Sequence, residues 1–148
     1  MSPSARSRGF TLVELLVVVA LIAIASGLAS LALRDPTANR LDQEGARLAA
    51  LLESARAEAR ASGVMVRWVP RAPDGTGAAD FRFVGLAASD ALPEHWLNDG
   101  VTADIVGARA VVLGPEPLIP AQRIVLSLES RRLTLATDGL GPFEVAPE

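Results

Sequence analysis

His95 is the only histidine of the 148-residue chain, and it stands in PEHWLND with Glu94 and Asp99 within reach in sequence. A histidine beside a carboxylate can serve as a general base. Asp138 in TDGLGP offers an oxygen to a hard cation, and the loop PDGTGAAD (73–80) has the glycine content of a phosphate cradle. Each lacks its complement. No second histidine and no Gly-x-Ser-x-Gly accompany His95, and no further carboxylate follows Asp138 until Glu144. The glycine loop carries no lysine and does not open a helix. All 14 basic residues are Arg and there is no Cys, which removes lysine Schiff bases, thiol catalysis, cysteine zinc sites and disulfides. We therefore read His95 as a loop residue beside a partly buried Trp96, and Asp138 as a turn residue before Gly139. Neither an enzyme nor a bound cofactor or metal is expected.

Glu14 is the residue out of place. It lies in RGFTLVELLVVVALIAIASGLASLAL (8–33), after which no residue from Leu15 to Leu33 is charged. A helix from Phe10 onward spans roughly 30 Å at ~1.5 Å per residue, enough for a bilayer core. The short polar start carries Arg6 and Arg8, which the positive-inside rule keeps in the cytoplasm, with the rest of the chain outside. A cleaved secretory signal would have a shorter apolar stretch, although SGLASLA loosely suits a cut. A plain anchor accounts for the length and leaves the carboxylate unexplained, since ionisable groups inside a membrane helix cost about 2.5–3.5 kcal/mol at its centre.

The order Gly9-Phe10-Thr11-Leu12-Val13-Glu14 resembles the processing motif of type IV pilin-like proteins: a short basic leader ending in Gly, then Phe, then Glu at the fifth mature position. The resemblance implies that prepilin peptidase cuts between Gly9 and Phe10 and that the new amine of Phe10 is methylated. It implies an assembly role for Phe10 and Glu14, the ammonium of one subunit meeting the carboxylate of another. A carboxylate is favoured in the first turn of a helix, and a buried one is tolerable only with a partner.

Behind this segment, Asp35-Pro36 marks a kink or break, with Gly27 the other candidate for a bend. From Leu41 to Ser62, Leu41, Gly45, Leu48, Leu52, Ala55 and Ala59 form one narrow helical stripe. Asp42, Glu44, Arg47, Glu53, Arg56, Glu58 and Arg60 fall on the other faces and read as a solvated surface. Gly63 is a plausible cap. Strand patterns follow at 64–69, 81–86, 101–106, 110–113, 123–128 and 132–136, the first two joined by a hairpin-type loop. Val64, Val66 and Trp68 share one face, and Ile124, Leu126 and Leu128 alternate. The class is α+β: a long N-terminal transmembrane or spine α-helix followed by a small antiparallel, sandwich-like β domain. The expected division is a leader 1–9, a helix 10–62 (10–33 transmembrane, 41–62 amphipathic) and a periplasmic β domain 63–148.

The helix LDQEGARLAALLESARAEARASGV, the LPEHWLNDGV segment and the LTLATDGLGPFEV ending are similar to the minor pseudopilin of type II secretion called the H subunit. That group shares its domain with FimT-like minor pilins of type IV pili. The resemblance implies a structural subunit at or near the tip of a periplasmic pseudopilus, anchored in the inner membrane and helping to move folded proteins through the outer membrane. Implied partners are other minor and major pseudopilins, prepilin peptidase and the inner-membrane assembly platform. The FimT-like alternative serves pilus assembly or DNA uptake, which calls for exposed bases near the C-terminus. No base follows Arg132, and loss of Arg6 and Arg8 takes the net charge from −3 to −5, so no nucleic acid is expected.

Overall fold

The computed structural model describes residues 11–32, 35–71 and 79–146, and the side chains of the first helix as far as Gly27. The chain divides into two compact units, residues 1–35 and 36–148. The first contains helix α1, Leu12–Ala32. Its composition is apolar on every side, and its described large aliphatic side chains run from 40% exposed at Val18 to 75% at Leu12. A helix with no polar face does not select one side for burial and belongs inside a membrane or against other chains. Among the described residues no helix is long and apolar enough to cross a membrane. The side chains described, Leu12 to Gly27, extend roughly 24 Å at ~1.5 Å per residue, short of a ~30 Å hydrocarbon core.

The second unit opens with α2, Pro36–Ser62. Pro36 is its first residue, where a missing N–H costs nothing and a fixed φ suits the helix. Gly63 ends it at φ 69°, its N–H donating to the Ala59 carbonyl at 3.0 Å, the left-handed cap that only glycine adopts without strain. Among the described residues seven strands follow: β1 Arg67–Pro70, β2 Phe81–Val84, β3 Thr102–Ile105, β4 Val111–Val112, β5 Gln122–Leu128, β6 Arg131–Thr137 and β7 Glu144–Val145. They form two antiparallel sheets, ordered β2-β1-β4 and β3-β5-β6-β7. The longest pairing, β5 with β6, sets Ile124 opposite Leu135 and Leu126 opposite Leu133. The Gln122 side chain ties the sheets together by imitating a strand. Its Oε1 accepts the Val112 N–H at 2.7 Å and its Nε2 donates to the Val112 carbonyl at 2.8 Å.

The stripe of α2 packs on β5, β6 and β7. Leu41, Leu48, Leu52, Ala55 and Ala59 are buried there with Ile124, Leu126, Leu128 and Leu135. Each large aliphatic side chain withdrawn from water contributes about 1.5–3 kcal/mol. Gly45 sits where a methyl group would run into Leu133, so the helix approaches the sheet at the one position without a side chain. Val66, just ahead of β1, and Trp68 and Phe81 of the three-stranded sheet extend the core, Trp68 and Phe81 with ring centroids 5.8 Å apart. Val64, expected on the same face, is 47% exposed and lies ahead of β1.

Candidate assembly site

Gly9 and Phe10, the expected processing residues, lie outside the described residues. The site therefore starts at Thr11. The Glu14 N–H donates to Thr11 Oγ1 at 3.2 Å and the Leu15 N–H to the Thr11 carbonyl at 3.1 Å. Thr11 is thus the N-cap of α1, and Thr-x-x-Glu is the spacing of a capping box. That spacing was open to reading in the sequence, and here only its Thr11 half is formed, so it accounts for the threonine. The Glu14 side chain is exposed and takes no ion pair or side-chain hydrogen bond among the described residues. A carboxylate beside the positive end of a helix, ringed by Leu12, Val13, Leu15 and Leu16, can receive a cation brought by another chain.

The surface of α2 departs from the sequence expectation at two positions. Glu44 and Arg56, placed among the solvated charges, are buried at 0% and 2% exposure. Glu44 Oε1 accepts the N–H groups of Leu97 and Asn98, each at 2.7 Å, and Asn98 Nδ2 at 2.9 Å. Its other oxygen is 3.8 Å from Arg47 Nη1, which in turn donates to the His95 carbonyl at 2.9 Å. Arg56 does the reverse with carbonyls. Nη1 donates to Gly141 O and Nη2 to Gly139 O, both at 2.8 Å, with a longer bond to Pro117 O at 3.4 Å. Glu53 stands 3.7 Å from Arg56 Nη1 and accepts the Phe143 N–H at 3.2 Å. One helix face thus holds a loop by its donors and two others by their acceptors. Buried charges persist because each is heavily hydrogen-bonded.

His95 is exposed, with Nδ1 3.4 Å from Asp80 Oδ2 rather than from Glu94 or Asp99. Asp80 also accepts the Trp96 N–H at 2.9 Å. Trp96 is half-buried against Phe81, centroids 4.7 Å apart. Asp138 is a turn residue, its Oδ1 accepting the N–H of Leu140 at 2.9 Å and of Gly141 at 2.8 Å. Those bonds, Gly141 first and then Leu140, hold its carboxyl below the ordinary 3.8. Among the described residues no group of three His, Cys, Asp or Glu is placed to hold a metal ion. Most of the glycine loop, residues 73–78, lies outside the described residues.

A capped apolar helix with an open acid in its first turn, preceding a helix-on-sheet domain, defines a pilin-like architecture, and residues 4–30 match the family model described as "Prokaryotic N-terminal methylation motif". The chain carries a prepilin-type N-terminal methylation motif and has the type IV pilin-like fold. A similar solved structure is the type IV minor pilin FimU of Pseudomonas aeruginosa strain PAO1, with TM-score 0.54, 16% identity, and coverage of 74% of this chain and 90% of that one. A second crystal form of FimU aligns with TM-score 0.49 and 14% identity over 72% of this chain and 93% of the other. At these identities the likeness is one of fold. No curated protein matches the chain at a significant level.

Proposed function

We propose that this chain is a minor pilin-type subunit of a filament assembled from the inner membrane, and that its machine is a type II secretion pseudopilus. The single observation that carries the subunit reading is the methylation motif over residues 4–30 with Glu14 open in the first turn of α1. In this reading prepilin peptidase cuts between Gly9 and Phe10 and the Phe10 amine is methylated. Residues 10–33 then hold the subunit in the inner membrane as a single pass with residues 63–148 in the periplasm. During assembly the Phe10 ammonium of one subunit meets the Glu14 carboxylate of a neighbour. In apolar surroundings such a pair persists only when both charges are present. The subunit sits at or near the tip with other minor and major pseudopilins, on an inner-membrane assembly platform, and catalyses nothing itself.

Supporting the secretion role is the acidic balance of the mature chain and the absence of bases after Arg132. A second reading, a minor pilin of a type IV pilus, draws on the fold likeness to FimU. Mass spectrometry of the mature protein tests the class: N-methyl-phenylalanine at position 10 is the expected terminus, and a start at Met1 or near Ser30 defeats it. Glu14→Ala is expected to be processed normally and yet be lost from sheared filaments. Deletion of the gene separates the machines, with loss of exoprotein release expected for secretion and loss of surface pili for the alternative.

A further inference from the structure

Two clefts border the segment 86–95 on the second unit, and the assembly role of Glu14 uses neither. One, of about 290 Å³, lies against α2, where Ser54, Ala55 and Glu58 line it. The other, of about 450 Å³, extends over Phe83 toward Glu94 and His95. They share Leu86, Ala91 and Leu92, and both border the 3-10 turn Ala88–Asp90. Leu86 and Leu92 are half-buried against the core, so the floor is apolar and continuous with it. The rim is acidic. Glu58 and Asp90 line the first cleft and Glu94 the second, and no arginine lines either. None of the three carboxylates forms an ion pair among the described residues; Asp90 Oδ2 accepts only the neighbouring Ser89 hydroxyl, at 3.0 Å.

The backing of these clefts is held in place from beneath. The Glu94 carbonyl accepts the N–H groups of Asp80 and Phe81 at 2.9 and 3.2 Å. Asp80 holds the Trp96 N–H, Arg47 the His95 carbonyl and Glu44 the two amides that follow. A surface already fixed in shape loses little freedom when it binds.

We propose that this double cleft docks a segment of a different protein chain that presents leucine-type side chains flanked by Arg or Lys. Apolar side chains fill the clefts over Leu86 and Leu92, and the flanking cations meet Glu58, Asp90 and Glu94. Among the described residues outside α1, a second copy of this chain offers no leucine matched to this rim. Its highly exposed leucines among the described residues outside α1 are Leu97, Leu118 and Leu140, and each has a carboxylate two residues away, Asp99, Glu116 and Asp138. Docking any of them would set like charges together, which works against binding and orientation. The proposal stands whether or not Gly9–Phe10 is cut.

The test places the photo-crosslinker p-benzoyl-phenylalanine at Ala88 of the full chain in its native membrane and maps the captured segment by mass spectrometry. The expected adduct is to another protein, at a segment with Arg or Lys within a helical turn of Leu or Ile. Reversing Glu58, Asp90 and Glu94 together to Arg is expected to lower the yield by roughly fivefold or more. Thermal melting of each variant controls for folding. Should the triple variant melt early, Asp90→Arg alone is scored and is expected to lower the yield about twofold. The proposal is overturned by a lipid adduct, by capture of this chain itself, by an acid-flanked segment, by no adduct, or by a yield indifferent to charge reversal. Each of those results is separable from failure of the filament reading, which the mass of the mature N-terminus decides by itself.

Discussion

Glu14 and Glu44 stand in opposite surroundings, and each contradicts its neighbourhood in the sequence. Glu14 sits in an apolar run and is exposed, its carboxylate free of partners among the described residues. Glu44 sits in a polar, heavily charged helix and is fully buried, with three N–H donors converging on one oxygen. Local composition therefore says little about where an acid ends up. What decides is whether the fold delivers donors to it. Loop 95–98 delivers them to Glu44, whereas among the described residues none reaches the Glu14 carboxylate.

The sharpest way to break this contrast is to remove each acid in turn and measure stability. Glu44→Ala strands the amides of Leu97 and Asn98 in a closed site and is expected to cost about 3–5 kcal/mol, the scale for deleting one partner of a buried charged group. In a domain of this size that lowers Tm by roughly 10–20 °C. Arg56→Ala, which releases the Gly139 and Gly141 carbonyls, is expected to match it. Glu14→Ala is expected to leave the melting of the domain where it was while abolishing assembly. Equal melting of Glu44→Ala and wild type, followed by calorimetry, would remove the distinction between the two acids.

A smaller effect tests whether the face around Glu44 is as tight as its hydrogen bonds require. Gly45→Val drives a branched side chain into Leu133, and overpacking of this kind costs typically about 1–3 kcal/mol. The loss should be cooperative with Glu44→Gln, because adjacent residues of one packed surface are not additive. A tolerated valine would mean that α2 rides loosely on β6 and that Glu44 alone sets the distance.

Most of the architecture was open to reading in the sequence. The 3.6-residue stripe of α2, the alternation Ile124-Leu126-Leu128 and the cap at Gly63 are local patterns, and they fold as local patterns do. Glu44 and Arg56 were not readable because their partners lie 53 to 85 residues away along the chain. Helical periodicity sorts residues by type and places every charge on the wet face, whereas burial of a charge is decided by distant loops. Gln122 was hidden for the same reason, its amide matching a strand edge that only the tertiary fold brings near. Thr11 is a different case: the Thr-x-x-Glu spacing is entirely local, yet the oddity of an acid in an apolar run draws attention away from the capping it performs.

Asp138 lies between the two glutamates, exposed like Glu14 yet bonded like Glu44, and it gives the finest test. Its carboxylate accepts the amides of Gly141 and Leu140, while Thr137 Oγ1 and Arg56 hold the Gly141 carbonyl of the same turn. Backbone donation favours the charged form, so the folded pKa lies below the ordinary 3.8. A depressed carboxylate contributes stability that is fully present above the unfolded value and is lost as pH falls through the folded one. Asp138→Asn keeps an acceptor and removes the charge. Its melting temperature should therefore fall below that of wild type by a constant margin at neutral pH. The margin should close as pH drops below 3.8, where wild type loses the same charge. A margin that persists unchanged into acid would assign the turn to geometry alone and would set Asp138 beside Glu14, as an acid whose charge the folded domain does not use.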